Sequence, residues 1–244
     1  MNSTTVSILE GNTFVVSDLS GDIDASPSET TGLFSYDTRF LSRWKLTVDG
    51  TRPNVLSTDD LDYFAVQFFL VPGTGTVHVD ADLSILRKRS VGNGFHEDLT
   101  ILNHKNTPVD LTVRIDMASD FADLFETRDA LAKQGIQYQR VDRENKSLIL
   151  GYRREQFVRE TQITCTADAT FDQQGITFSP HLEPHDEWMT CLDVTISIPG
   201  VFRGCAVRAP TASDPATQPQ LSLSGCQFTV DSHDTANISG PGIF

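Results

Sequence analysis

The sequence predicts an all-β protein, a large antiparallel β-sandwich with one or two short helical turns. A dozen short stretches are dense in β-branched and aromatic residues or alternate polar with apolar. Turn signals such as Gly11-Asn12, Asp49-Gly50 and Gly92-Asn93-Gly94 separate them at short intervals. Helical periodicity is confined to one brief segment. Short strands with frequent turns and no run of amphipathic helices are met most simply by two antiparallel sheets packed face to face.

Taken in order, Val6 to Glu10 and Thr13 to Ser17 form a hairpin about Gly11-Asn12. Asp18 to Thr31 is rich in Ser, Asp, Gly, Pro and Thr, a loop long enough to carry function or to cross between sheets. Gly32 to Trp44 packs four aromatic residues, one acid and two arginines into thirteen positions and reads as a loop leading into a strand. Lys45 to Val48, the Asp49-Gly50 turn and the return from Pro53 to Leu56 read as a second hairpin. Phe64 to Val71 is nearly continuous apolar, as expected of a strand buried on both faces. Leu83 to Val91, with Ile85, Arg87 and Arg89 on one side, then Phe95 to Leu102 and Val109 to Met117, suggest three strands in meander order. Ile136 to Val141, Ser147 to Tyr152, Phe157 to Cys165 and Trp188 to Ile198 are the later strands. Phe121, Leu124 and Phe125 fall at i, i+3 and i+4, so Asp120 to Glu126 predicts a helical turn capped by Asp120, its acids on the opposite face. Residues 1 to 199 are thus read as the sandwich. Residues 200 to 244, with Pro210, Pro215, Pro219 and Pro241 among Ser, Thr, Ala and Gly, are read as a tail or linker with at most one edge strand, Cys226 to Val230.

A formal net charge of −14 argues against nucleic acid and anionic membranes as partners, since phosphate binding needs a clustered basic face. No apolar run approaches the roughly 18 residues of a spanning helix, and Met1 to Thr5 lead straight into alternation without a basic start or apolar h-region. A soluble, cytoplasmic protein is expected. Cys165, Cys191, Cys205 and Cys226 show no C-x-x-C spacing, so free thiols are expected, with a Cys205 to Cys226 disulfide as the exported alternative. His181 and His185 stand four apart but flank Pro184, which makes a polar loop a better reading than a helical metal pair. The Asp120, Asp123 and Glu126 cluster lacks the loop of a calcium site. No metal and no cofactor are predicted.

Two constellations invite a site. Large apolar groups beside Asp37 and Arg39 suggest a partly buried charge pair, because a desolvated carboxylate needs a partner. Glu97 follows His96 on a predicted strand and is the one acid worth testing for glycosidase-type chemistry, which requires two carboxylates at a set separation. Its plainer reading is a strand-face charge paired to Arg87 or Arg89 on the adjacent strand. No nucleophile elbow, P-loop or dinucleotide glycine motif is present.

The order of motifs carries a resemblance. Gly11-Asn12-Thr13-Phe14-Val15-Val16-Ser17-Asp18 is followed by Gly21-Asp22-Ile23, then by Gly32-Leu33-Phe34 with Asp37-Thr38-Arg39-Phe40-Leu41-Ser42. Arg87-Lys88-Arg89 with His96-Glu97 comes next, and Asp120-Phe121-Ala122-Asp123-Leu124-Phe125-Glu126-Thr127-Arg128 closes the series. Over about Val6 to Pro199 this resembles the N-terminal domain of bacterial glycogen-debranching-type proteins, the amylo-α-1,6-glucosidase group. The resemblance implies a supersandwich-like β domain that precedes an (α/α)-barrel bearing the glycosidase carboxylates. The sequence to Phe244 has no succession of long amphipathic helices, so a non-catalytic accessory domain is expected, as a segment of a longer protein or as a short natural form. Its expected partners are the helical catalytic domain and an α-glucan. The residues it nominates for substrate or domain contact are Tyr36, Asp37, Arg39, Glu97, Asp120, Asp123, Glu126 and Arg128. Tyr36 or Phe34 would stack on a pyranose face while Arg39 meets hydroxyls, and Phe121 and Phe125 would anchor the helical turn. A stand-alone module binding α-glucan or protein is the alternative, and a complete small glycosidase a third.

Overall fold

A computed structural model describes residues 4–25, 30–73, 82–92, 94–129 and 134–198. In chain order the strands are β1 (Thr5–Glu10), β2 (Thr13–Asp18), β3 (Ile23–Asp24), β4 (Gly32–Ser35), β5 (Thr38–Leu41), β6 (Arg43–Val48), β7 (Asn54–Asp62), β8 (Ala65–Val71), β9 (Leu83–Gly92), β10 (Gly94–Asn103), β11 (Val109–Asp110) and β12 (Val113–Ala118). The single short helix among the described residues, α1 (Leu124–Asp129), precedes β13 (Ile136–Asp142), β14 (Ser147–Arg154), β15 (Phe157–Cys165), β16 (Thr170–Asp172), β17 (Gly175–Phe178), β18 (His181–Leu182) and β19 (Glu187–Ser197). The expected tail from 200 to 244 and the Cys205 to Cys226 pairing lie outside the described residues. Cys165 and Cys191 are free and half-buried.

One layer is an eight-stranded antiparallel sheet in the order β13-β14-β15-β19-β10-β9-β8-β7. Facing it are a five-stranded sheet, β16-β17-β12-β6-β3, and a four-stranded sheet, β1-β2-β4-β5, and β11 and β18 form a separate two-stranded ribbon. A single cluster of buried apolar side chains draws on all three large sheets, from Ile8, Val15 and Leu33 through Trp44, Leu46 and Ile115 to Phe68, Leu99 and Leu192. The cause is period-2 alternation. Phe95, Leu99 and Ile101 of β10 and Leu192, Val194 and Ile196 of β19 all point inward and are buried. Trp44 of β6 meets Phe95 edge-on at 4.9 Å, and Phe178 of β17 meets Trp188 of β19 at 5.2 Å, so aromatic pairs join the layers. No helix of the described residues is long and apolar enough to cross a membrane.

Four expectations about strands need correction. The turn at Asp49-Gly50 exists, both residues having positive φ, but it does not close a hairpin. β6 pairs with β12 and β3, while β7 leaves to pair with β8. Leu83 to Met117 is not a three-stranded meander. β9 and β10 pair, yet β10 takes β19 as its other neighbour, and β12 crosses to the opposite sheet beside β6 and β17. β8 is not buried equally on both faces, since Val66, Phe68 and Leu70 are buried while Gln67 and Phe69 are half-buried. Gly32 to Leu41 is a hairpin, β4 and β5, with Tyr36-Asp37 at its turn. For β6, β10 and β12 the strand is read correctly, and the partner depends on residues far away in sequence.

The β9–β10 turn depends on glycine. Gly94 has φ +124°, and a Cβ there would sit 1.8 Å from the Val194 carbonyl oxygen, so only glycine lets β10 approach β19.

Candidate functional site

Arg87 and Arg89 of β9 and Glu97 of β10 point into the sandwich and are fully buried. Glu97 Oε1 accepts from Arg87 Nε at 3.1 Å and Nη2 at 3.0 Å, and from the Trp44 indole N–H at 3.1 Å. Its Oε2 accepts from Arg89 Nε at 2.8 Å and from Arg89 Nη2. Arg87 Nη1 also donates to Asp22 Oδ1 at 2.7 Å and to the Ser20 carbonyl at 2.9 Å. Asp22 in turn accepts from the Leu46 N–H and from Arg52 Nε, and Arg52 reaches Asp18. Burial pushes the Glu97 pKa up, but Arg87, Arg89 and the Trp44 hydrogen bond outweigh it and hold the carboxyl below its usual range. A carboxylate that is ionised, saturated and sealed has no proton to give and no path to a substrate. Glu97 is therefore an internal fastener between the long loop, β6 and the eight-stranded sheet, as the strand-face reading had it.

Arg39 corrects the expected Asp37–Arg39 pair. It is fully buried, and its partner is Asp120: Nε donates to Asp120 Oδ1 at 3.0 Å and Nη2 to Oδ2. Nη1 donates to the Thr31 carbonyl at 3.3 Å. This two-pronged grip spans 81 residues and ties the β4–β5 hairpin to the segment before α1. Asp37, in the turn, is exposed with Tyr36, whose φ is +52°.

The helical turn is also differently built. Asp120 does not cap it, being held by Arg39. Asp123 is the cap: its Oδ1 accepts from the N–H groups of Phe125 at 2.8 Å and Glu126 at 2.7 Å, while its own N–H donates to Glu126 Oε2 at 2.9 Å. That reciprocal pattern is a capping box. Phe121, with φ +52°, lies before the helix and is buried against Phe40 and Tyr152, whereas Phe125 is 66% exposed. The Arg128 side chain lies outside the described residues. His181 and His185 do not converge, as His181 Nδ1 meets Asp110 Oδ1 at 2.7 Å and His185 Nε2 meets Asn106 Oδ1 at 2.9 Å.

What these pieces build together is a cleft of about 400 Å³ lined by Ser35, Tyr36, Asp37, Thr38, Asp123, Phe157, Arg159 and Ile198. The β4–β5 turn supplies Tyr36 and Asp37, the helix cap supplies Asp123, and the start of β15 supplies Phe157 and Arg159. Backbone bonds hold the parts in register: Arg39 N–H donates to the Ala122 carbonyl at 2.8 Å, and Thr38 bridges Asp123. Tyr36 and Phe157 are 45% and 42% exposed, two aromatic faces at one opening. The Arg159 guanidinium lies 3.9 Å over the Phe157 ring, and its Nη1 donates to the Val158 carbonyl. Its Nε is enclosed and meets no acceptor among the described residues. Burial lowers the Arg159 pKa, partly offset by the Asp37 carboxylate. Aromatic faces bordered by carboxylates and a guanidinium suit a ligand with apolar C–H faces and many hydroxyls.

Of the nominated residues, Tyr36, Asp37 and Asp123 meet in this cleft. Arg39, Asp120 and Glu126 support it from behind, and Glu97 belongs to the internal network. Phe157 and Arg159 were not singled out from sequence. The available signal was their i, i+2 placement on one strand face, which resembles ordinary strand alternation.

Residues 8–193 match a family model described as the N-terminal domain of (some) glycogen debranching enzymes. No curated protein matches the chain.

Proposed function

The chain belongs to the family of N-terminal domains of glycogen debranching enzymes, and from that premise we propose that it is a non-catalytic accessory domain whose Tyr36–Arg159 cleft contacts α-glucan beside a helical catalytic domain. The observation that carries this reading is the pairing of exposed Tyr36 and Phe157 with Asp37, Asp123 and Arg159 at one opening. A pyranose stacks its C–H face on an aromatic ring, and its hydroxyls take charge-assisted hydrogen bonds. The exposed Phe125 on the neighbouring helix supports docking of a second domain at the same end. Glu97, neutralised by two arginines, has no part in bond cleavage.

Affinity electrophoresis tests the glucan contact. The chain is expected to be retarded in a native gel containing glycogen, and Tyr36→Ala or Phe157→Ala to abolish the shift with far-UV circular dichroism unchanged. Migration indifferent to glycogen would remove the glucan role and leave docking alone. Sedimentation of the chain with a debranching-type (α/α)-barrel domain tests docking, where Phe125→Ser should weaken co-sedimentation.

A further inference from the structure

The outward face of the eight-stranded sheet carries four metal-type donors, none of which lines the cleft. β10 presents His96 and Asp98, two residues apart and hence on one face. Beside it β19 runs antiparallel, with Asp193 opposite His96 and Cys191 opposite Asp98. Both strands are paired on both edges, β10 by β9 and β19, β19 by β10 and β15, which fixes the backbone under all four side chains. One donor atom each from His96, Asp98 and Cys191 lie within 4.8 Å of one another. None is fully exposed: the His96 and Asp98 side chains are 13% and 31% accessible, and Cys191 is half-buried.

A second observation concerns the imidazole. His96 Nε2 stands 2.9 Å from Asp98 Oδ1, while Nδ1 on the far side stands 2.7 Å from Asp193 Oδ1. A carboxylate, a backbone carbonyl or a water on the outer nitrogen is the usual arrangement behind a metal-ligating histidine, and it holds the ring in place. Carboxylate oxygens only accept, so both His96 ring N–H groups donate here, and the inner nitrogen becomes a ligand by giving up its proton while Asp193 holds the outer one. Asp193 does not otherwise belong to the donor triad, and its position is independent of the clustering.

We propose that His96, Asp98 and Cys191 bind a zinc-class divalent cation, with Asp193 as the positioning carboxylate and the fourth coordination position open to solvent. One nitrogen, one oxygen and one sulfur donor suit Zn²⁺ or Co²⁺, whereas Mg²⁺ and Ca²⁺ take oxygen ligands. Metal–ligand bonds of about 2.0–2.3 Å place tetrahedral donors about 3.3–3.6 Å apart. Side-chain rotation on the fixed strands can close the triad to that spacing. On binding, the inner His96 nitrogen and the Cys191 thiol each give a proton to solvent, and the sulfur becomes a thiolate ligand. Lys88, opposite Asp98 on β9, opposes the cation, but Asp98, Asp193 and the thiolate bring three negative charges against its one. The signal in sequence is two i, i+2 pairs, His96-x-Asp98 and Cys191-x-Asp193, which become a site only when β10 and β19 adjoin.

Cobalt titration of the full chain after chelator treatment tests this. One equivalent of Co²⁺ is expected to give a thiolate-to-cobalt charge-transfer absorption with tetrahedral d–d bands, and Zn²⁺ to displace it. Cys191→Ser should remove the charge-transfer band and Cys165→Ser should keep it. Asp193→Asn should weaken Co²⁺ binding about 10-fold to 100-fold without altering the far-UV spectrum. A wild-type chain that stays colourless with Co²⁺, or a thiolate band that survives in Cys191→Ser, overturns the proposal.

Discussion

At the scale of single residues, charge dominates the interior of this apolar sandwich. Asp22 and Glu97 face Arg87 and Arg89 with almost no exposure, two negative against two positive charges. Such a group is tolerated because each carboxylate oxygen has donors, and removing one member leaves the others uncompensated. Glu97→Gln is expected to cost about 3–5 kcal/mol in urea unfolding. The same residue sets an acid limb. Its folded pKa lies below the ordinary 4.5, so its stabilisation is present above pH 4.5 and is lost as pH falls through the lower folded value. Urea midpoints measured downward from pH 6 should fall more steeply for wild type than for Glu97→Gln. A matching slope in the two proteins would remove Glu97 from that role. Arg39 makes a parallel case. Arg39→Lys keeps the charge but loses the fork that grips Asp120 and should lower stability by about 1–3 kcal/mol, whereas Asp37→Asn should change it by less than about 0.5 kcal/mol. Chemical denaturation of the pair checks both, and a large Asp37→Asn loss would reinstate the Asp37–Arg39 pairing.

At the scale of elements, the β4–β5 hairpin and α1 shape the cleft. Gly32 opens that hairpin with φ +150°, and a Cβ there would lie 2.6 Å from Arg39 Cδ and 2.8 Å from the Leu41 carbonyl oxygen. The flexible arginine could give way, but it is clamped by Asp120, and the carbonyl is backbone. Gly32→Ala is therefore expected to lose about 1–3 kcal/mol in thermal or urea melts and to weaken glycogen retardation by shifting Tyr36. Asp123→Ala removes the helix cap and should cost about 1 kcal/mol. Much at this scale was legible beforehand. The strands at Thr13, Leu83, Ser147 and Phe157 follow from alternation or dense β-branching, and the structure adds that the side of β9 bearing Ile85, Arg87 and Arg89 is the buried one. The expected cap at Asp120 is three residues from the real one, because Asp120 and Asp123 are equally plausible caps until Arg39 claims one of them.

For the whole molecule, the internal charge network joins what the sheets alone would leave separate. Asp22 lies just before β3, Trp44 on β6, and Arg87 and Glu97 on β9 and β10, so three stretches of chain from both layers share one set of hydrogen bonds. Asp22→Asn and Glu97→Gln both act on Arg87, and their effects should be non-additive by about 0.5–3 kcal/mol in a double-mutant cycle. Strict additivity would mean that the two layers are held independently at that point.

By itself the sequence determined the all-β class, most strand positions, the alternation of β9 and the likeness to debranching-enzyme N-terminal domains. Period, turn residues and motif order are local properties that survive without knowledge of contacts. Only the tertiary structure decided which strands pair, that Arg39 belongs to Asp120, that Glu97 is sealed, and that Tyr36 shares a cleft with Phe157 and Arg159. Trp44 and Glu97 stand 53 residues apart and Arg39 and Asp120 81, and no spacing rule encodes such a pairing until the backbone has brought the two segments together.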